Sequence, residues 1–187
     1  MSIPQFKYYQ QPQVNAKLTQ LKCQSCGSDE YCLEGEYFDY GSSVESVCLS
    51  CLSKGKITVN IPDYIRNRIK NHLTGDCTTS QDSTQERANQ LIDELSKNPP
   101  VPWIQYNDWP VCCDDFCRYL GEWDQSTIVE KAQYKSPKDY LMSILDDFNK
   151  ERIDDFDSLW NDIGSGTAIF VFECIKCSKN IAVCQSY

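Results

Sequence analysis

Apolar and polar positions along the chain fall into two regimes. In 61-IPDYIRNRIKNHL-73 the residues Ile61, Tyr64, Ile65 and Ile69 recur at helical spacing, so one face of a helix would be buried. The polar run TGDCTTSQD that follows reads as a loop. Ser83-Thr-Gln-Glu86 has the form of a capping box opening ERANQLIDELSKN, with Ala88, Leu91, Ile92 and Leu95 as its buried stripe and Pro99-Pro100 as its stop. Ser136-Pro137, cap then first-turn proline, predicts a helix through KDYLMSILDDFNKE with Tyr140, Leu141, Ile144, Leu145 and Phe148 on one face. RIDDFDSLWNDIG follows as a further helical segment ending at Gly164. Strand-like runs lie on either side of these helices. YCLEGEYFDY and SSVESVC, broken at Gly35 and Gly41, come early, and TAIFVFE and NIAVCQSY come last. The pattern predicts an α+β fold.

Cysteine spacing adds chemistry to both strand regions. The knuckles 23-CQSC-26 and 48-CLSC-51 are separated by 21 residues, which lets four thiolates surround one zinc ion while the intervening chain forms a hairpin. Residues 1–60 thus read as a zinc ribbon, and Gly27 fits a knuckle exit that needs positive φ. A thioredoxin-type CxxC is the competing reading, but that motif stands without a second CxxC downstream. The late strands carry 174-CIKC-177 between them, half of a second four-thiolate site. The other half is expected in 109-WPVCCDDFC-117, where Cys113 and Cys117 stand four apart and would share one helical face. Cys112 would then point away. Cys32, Cys77, Cys112 and Cys184 are read as buried core thiols. On this reading the chain holds two structural zinc ions, and residues 61–187 form a helical region plus knuckle hairpin, one compact unit with the ribbon.

Composition excludes several functions. With 187 residues and 41% apolar content the chain can bury a core of ordinary size. Neither an 18-residue apolar run nor a signal-like start is present, which predicts a cytoplasmic protein, and there 12 cysteines read as metal ligands before disulfides. Net charge is −9 and the pI about 4.6, a poor basis for holding phosphates, so direct nucleic-acid binding is not expected. Residues 114–162 carry 13 acidic against 6 basic side chains, a net of −7. The bland reading of such a run is a solvated helix face. Its sharper reading is a surface for a basic partner, with Asp146, Asp147, Asp154, Asp155 and Asp157 as contacts. His72 is the sole histidine, and no HExxH, Walker A, GxGxxG or GxSxG motif occurs. Closed four-thiolate sites leave no position for substrate, so the chain is not expected to be an enzyme.

One order of residues carries a resemblance. Phe6-x-Tyr8 with Pro12, the Cys23/Cys26 knuckle with Gly27, Gly35 with Tyr37, the Cys48/Cys51 knuckle with Gly55, Trp109 before Cys113, Cys117 with Gly121, and Phe170-x-Phe172 before Cys174/Cys177 together resemble the CbrC family of bacterial proteins. That family has histidine at the positions of Tyr9 and Cys112, and glycine at that of Ser178. It is associated with tolerance to a colicin, so the resemblance implies an immunity protein that neutralises a toxin domain with a basic surface. Two other functions compete with it: a zinc-ribbon protein of nucleic-acid complexes, and a thiol redox or zinc-storage protein. The ribbon's dispersed lysines, opposed by Asp29, Glu30, Glu34, Glu36, Asp39 and Glu45, weigh against the first.

Overall fold

The structure is a computed structural model of the chain that describes residues 2–38, 43–75 and 81–187, the Gln81 side chain excepted. Asp39, Gly41 and Cys77 lie outside the described residues. The short helix α1 (Pro12–Asn15) precedes a three-stranded antiparallel sheet of β1 (Leu18–Thr19), β2 (Cys32–Glu34) and β3 (Ser46–Cys48), in that order. Helices α2 (Leu49–Ser53), α3 (Asp63–Thr74) and α4 (Gln81–Ser96) follow. A two-stranded hairpin, β4 (Val111–Cys112) with β5 (Asp115–Phe116), leads into β6 (Arg118–Glu122). Four short helices come next: α5 (Gln125–Ala132), α6 (Pro137–Ile144), α7 (Asp147–Arg152) and α8 (Phe156–Asp162). The chain closes with β7 (Thr167–Glu173) and β8 (Asn180–Ser186), which join β6 in an antiparallel sheet of order β6-β7-β8.

Strand β7 explains why its sequence reads as a continuous apolar run. Side chains alternate across a strand. Phe170 and Phe172 enter a core shared with Tyr8, Leu33, Ile65, Leu91 and Trp109, whereas Ile169 and Val171 enter a second core with Ile128, Leu141 and Leu145. Both faces of the strand are therefore covered. The first core contains residues of the N-terminal sheet, α3, α4 and the C-terminal strands together, including Cys23, Cys48, Cys51 and Cys174.

Ala88, Leu91, Ile92 and Leu95 form the buried stripe of α4, as their spacing predicts. Its helix begins at Gln81, two residues ahead of Ser83. In α3, Ile65 and Ile69 are fully buried while Tyr64 is half-exposed. The expected helix from Pro137 to Glu151 divides in two. Leu145 leaves helical geometry, and Asp146 N–H donates to the Ala182 carbonyl of β8 at 3.0 Å. The Asp146 carboxylate then caps α7 by accepting from Asn149 N–H at 2.7 Å. Periodicity could not show this break, because the competing hydrogen bond comes from a strand almost forty residues later. Phe148, placed by periodicity on the buried face, is exposed and stacked under Arg152 instead.

One buried carboxylate joins three distant segments. Asp115 is almost wholly enclosed; its Oδ1 accepts from Tyr8 Oη–H at 2.5 Å and from Phe116 N–H at 2.9 Å, and its Oδ2 faces Lys7 Nζ at 3.0 Å and Arg87 at 3.8 Å. Replacing it by alanine leaves the Tyr8 hydroxyl without an acceptor in a site that excludes water. We expect Asp115→Ala to lower unfolding free energy by about 1–3 kcal/mol in urea titration, and a loss within 0.5 kcal/mol would show the network to be energetically idle.

Candidate metal centres

Two groups of four cysteines gather their sulfur atoms within 4.8 Å of one another: Cys23, Cys26, Cys48 and Cys51 in the N-terminal sheet, and Cys112, Cys113, Cys174 and Cys177 near the C-terminus. The first knuckle is closed by Gly27 N–H donating to the Cys23 carbonyl at 2.7 Å and Cys23 N–H donating to Ser28 at 2.7 Å. Gly27 holds φ of 74°, the left-handed conformation that glycine adopts without penalty. Cys48 ends β3 and Cys51 sits in the first turns of α2, so a strand-to-helix junction supplies the second pair.

The second centre repeats that knuckle. Ser178 N–H donates to the Cys174 carbonyl at 2.9 Å, and Cys174 N–H donates to Lys179 at 2.9 Å. Ser178 occupies the position of Gly27 with φ of 57°. Its other half differs from the sequence expectation. Residues 111–116 form a tight hairpin, with Cys112 opposite Asp115 and both Cys113 and Asp114 at positive φ, 50° and 60°. Two left-handed residues between paired strands make a type I′ turn, whose twist matches that of the strands. No helix exists here, so the four-residue spacing of Cys113 and Cys117 gives them no common face. Cys112, at the strand end, joins Cys113 in the centre, and Cys117 lies outside the group. Cys117 N–H instead donates to Pro110 at 3.0 Å, its carbonyl accepts the Trp109 indole N–H at 2.8 Å, and its side chain is fully buried. The signal that could have found this is the pair Cys-Cys-Asp-Asp read as a hairpin tip.

Both donor sets fit a tetrahedral metal ion. Four sulfurs at about 2.3 Å from a metal stand about 3.8 Å apart. The separations are 3.6 Å for Cys26–Cys48, 3.7 Å for Cys112–Cys113 and 3.8 Å for Cys112–Cys177. A disulfide needs about 2.05 Å. The thiols also divide in acidity. Burial opposes ionisation of Cys23, yet backbone hydrogen bonds at Cys48, Ser25 and Cys26 outweigh it and bring the thiol down to about 6. Burial pushes Cys48 up to about 12. In the second group Lys179 N–H and then the Cys174 thiol bring Cys177 down to about 7, whereas burial and neighbouring thiols raise Cys112. Cys23 and Cys177 thus each offer a ready thiolate to a cation.

The centres differ in shelter. In the first only Cys26 is exposed; in the second Cys113 and Cys177 are exposed and only Cys174 is buried. Of the remaining cysteines, Cys32 is buried and donates to the Ser28 carbonyl at 3.2 Å, and Cys184 packs against the second core. His72, in the last turn of α3, faces Asp114 of the hairpin tip at 3.5 Å.

The acidic residues singled out from the sequence have unequal roles. Asp146 is half-buried and caps α7, and Asp155 caps α8 by accepting from Asp157 N–H at 2.9 Å and Ser158 N–H at 3.3 Å. Asp157 pairs with Lys138 at 2.5 Å and Asp147 with Lys150 at 3.7 Å, both at the surface. Asp154 is exposed. No helix among the described residues is long and apolar enough to cross a membrane.

Metal analysis of the purified chain should find two ions, falling to one in Cys112→Ser and staying at two in Cys117→Ser. The reverse pattern would reject the hairpin-tip ligands. Acidification protonates thiolates, so metal should be lost as pH falls below neutrality and retained as it rises to 9. A chelator should strip the second centre before the first, seen as two phases separated by Cys174→Ser. Ser178→Gly should stabilise the loaded protein by about 1 kcal/mol, since it removes a left-handed non-glycine residue; a loss of stability in thermal melting would contradict that.

No curated protein and no solved structure matches the chain. The family profile that matches, over residues 3–185, is described as an uncharacterised protein family (UPF0167). The chain belongs to that family.

Proposed function

We propose that the chain is a cytoplasmic immunity protein that binds and neutralises a bacterial toxin domain, on a scaffold held by two structural zinc ions. Zinc is favoured by tetrahedral all-thiolate donor sets in a protein with one histidine outside them. In the CbrC family that the chain resembles, the Cys112 position holds histidine, another zinc ligand, so the exchange preserves donor chemistry at a residue within the second group. Four protein ligands close each ion to substrate, and catalysis forms no part of this reading.

The observation that carries the proposal is the acidic segment. Asp147, Asp154, Asp157 and Asp162 are exposed within a stretch of net charge −7, and Val129, Tyr134, Met142 and Phe148 of the same stretch are exposed too. Exposed carboxylates and exposed apolar side chains in one segment suit a partner with a basic surface, where charge speeds encounter and apolar contacts hold the complex.

Only part of that segment is available for mutation without loss of structure, because Asp146 and Asp155 are helix caps. The test is co-expression of the chain with the toxin domain encoded beside its gene. Cells should survive with the wild-type chain, and D147K/D154K/D157K should slow association at least tenfold at low salt and reduce survival, with metal content unchanged. Full protection by the triple variant would reject this surface. Death of cells carrying the wild-type chain would reject immunity itself.

A further inference from the structure

A wide groove of about 1380 Å³ opens between the N-terminal sheet and the extended segment 98–109. Small-molecule sites run to about 300–1,000 Å³, so this one has the dimensions of a polypeptide site. Tyr37, Tyr64, Trp103 and Tyr106 line it with Pro62, Pro99 and Pro100. Glu34, Glu36 and Glu45 also line it, and no lysine, arginine or histidine does. None of these three carboxylates forms an ion pair among the described residues. Their field is felt locally: burial and then Glu36 and Glu34 raise the Tyr37 hydroxyl above its ordinary value.

We propose that this groove docks an extended cationic stretch of polypeptide, its Lys or Arg side chains meeting Glu34, Glu36 and Glu45 and its backbone lying against the aromatic and proline wall. Aromatic faces attract cations, and aromatic-lined grooves suit extended proline-containing chains. Unneutralised carboxylates repel phosphates and acidic peptides. The wall is preformed. Trp103 stacks on Phe172 with centroids 5.7 Å apart and 16° between planes, and the N–H groups of Ile104 and Gln105 both donate at 3.0 Å to the buried side-chain oxygen of Gln185. Preformed walls spare a ligand the cost of ordering them. Trp103 also keeps its indole N–H buried without a partner among the described residues. No lining residue belongs to the acidic segment 114–162, so the groove stands independently of the immunity reading.

The probe is a synthetic peptide of alternating proline with lysine and arginine, titrated into the metal-loaded full chain by calorimetry and tryptophan fluorescence. One-to-one binding is expected, at least tenfold weaker in Glu36→Gln/Glu45→Gln and in Tyr106→Ala, weakened by salt, and unchanged in D147K/D154K/D157K. These groove positions are exposed, so metal content should stay at two ions per chain in each variant. Absence of saturable binding would overturn the proposal, as would equal affinity in the groove variants or loss confined to the triple variant. Equal binding of an acidic peptide would overturn it too. Spermine binding as tightly as the peptide, with the same dependence on Glu36 and Glu45, would replace a peptide site by a polyamine site.

Discussion

Four thiolates within 4.8 Å of one another repel, and only a cation among them makes the arrangement favourable. That constraint shapes the whole chain, because the sulfurs belong to segments that are otherwise far apart in sequence. Cys112 and Cys177 are separated by 65 positions, and between them lie β6, all four short helices and β7. A metal at the second centre therefore ties the hairpin tip to the last two strands and closes the acidic helices into one large loop. Binding energy at such a centre is folding energy for everything the loop contains. The first centre acts over a shorter range, joining a β-hairpin to the start of α2.

All three CxxC pairs were legible in the sequence, because that spacing lets two thiolates reach one ion. The N-terminal ligand set follows from two such pairs at ribbon spacing. Half of the C-terminal set was not legible in the same way. Cys112 and Cys113 stand side by side in the group because the turn beyond Cys112 holds two successive left-handed residues, and only Asp114 of the two is a residue type that favours one. Helical spacing offered Cys117 in its place, but Cys117 belongs to the core beside Trp109. The division of α6 from α7 escaped periodicity for a related reason. Apolar spacing continues through Leu145, while the backbone turns away to meet β8. In both places a tertiary hydrogen bond or ligand contact overrode a local pattern.

Charge told less than its sum. The net of −7 between residues 114 and 162 includes Asp115, enclosed with Lys7, Arg87 and Tyr8, and Asp124, Asp146 and Asp155, each a helix cap. Carboxylates at helix N-termini are held by backbone N–H groups and by the helix dipole. Four short helices in succession need four starts, and aspartate is among the best capping residues; here Asp124, Asp146 and Asp155 serve three of them and Ser136 the fourth. Part of the acidity is thus the chemical consequence of breaking one region into short helices. The carboxylates of this segment that neither cap a helix nor lie buried are correspondingly fewer.

The groove and the second centre are connected through one strand. Gln185 of β8 holds the groove wall, by accepting from Ile104 and Gln105 N–H and by donating to the Tyr106 carbonyl at 2.7 Å. The same strand runs back through Val183, in the shared core, to Asn180 beside the Cys174/Cys177 knuckle. On its other face Trp103 leans on Phe170 and Phe172 of β7, which ends at that knuckle. A segment with no helix or strand of its own thus gains a fixed shape by resting on two strands pinned at one end by four sulfur atoms. Its order derives from packing and hydrogen bonds to that sheet rather than from local propensity, which is why nothing in residues 98–109 themselves predicted a binding wall.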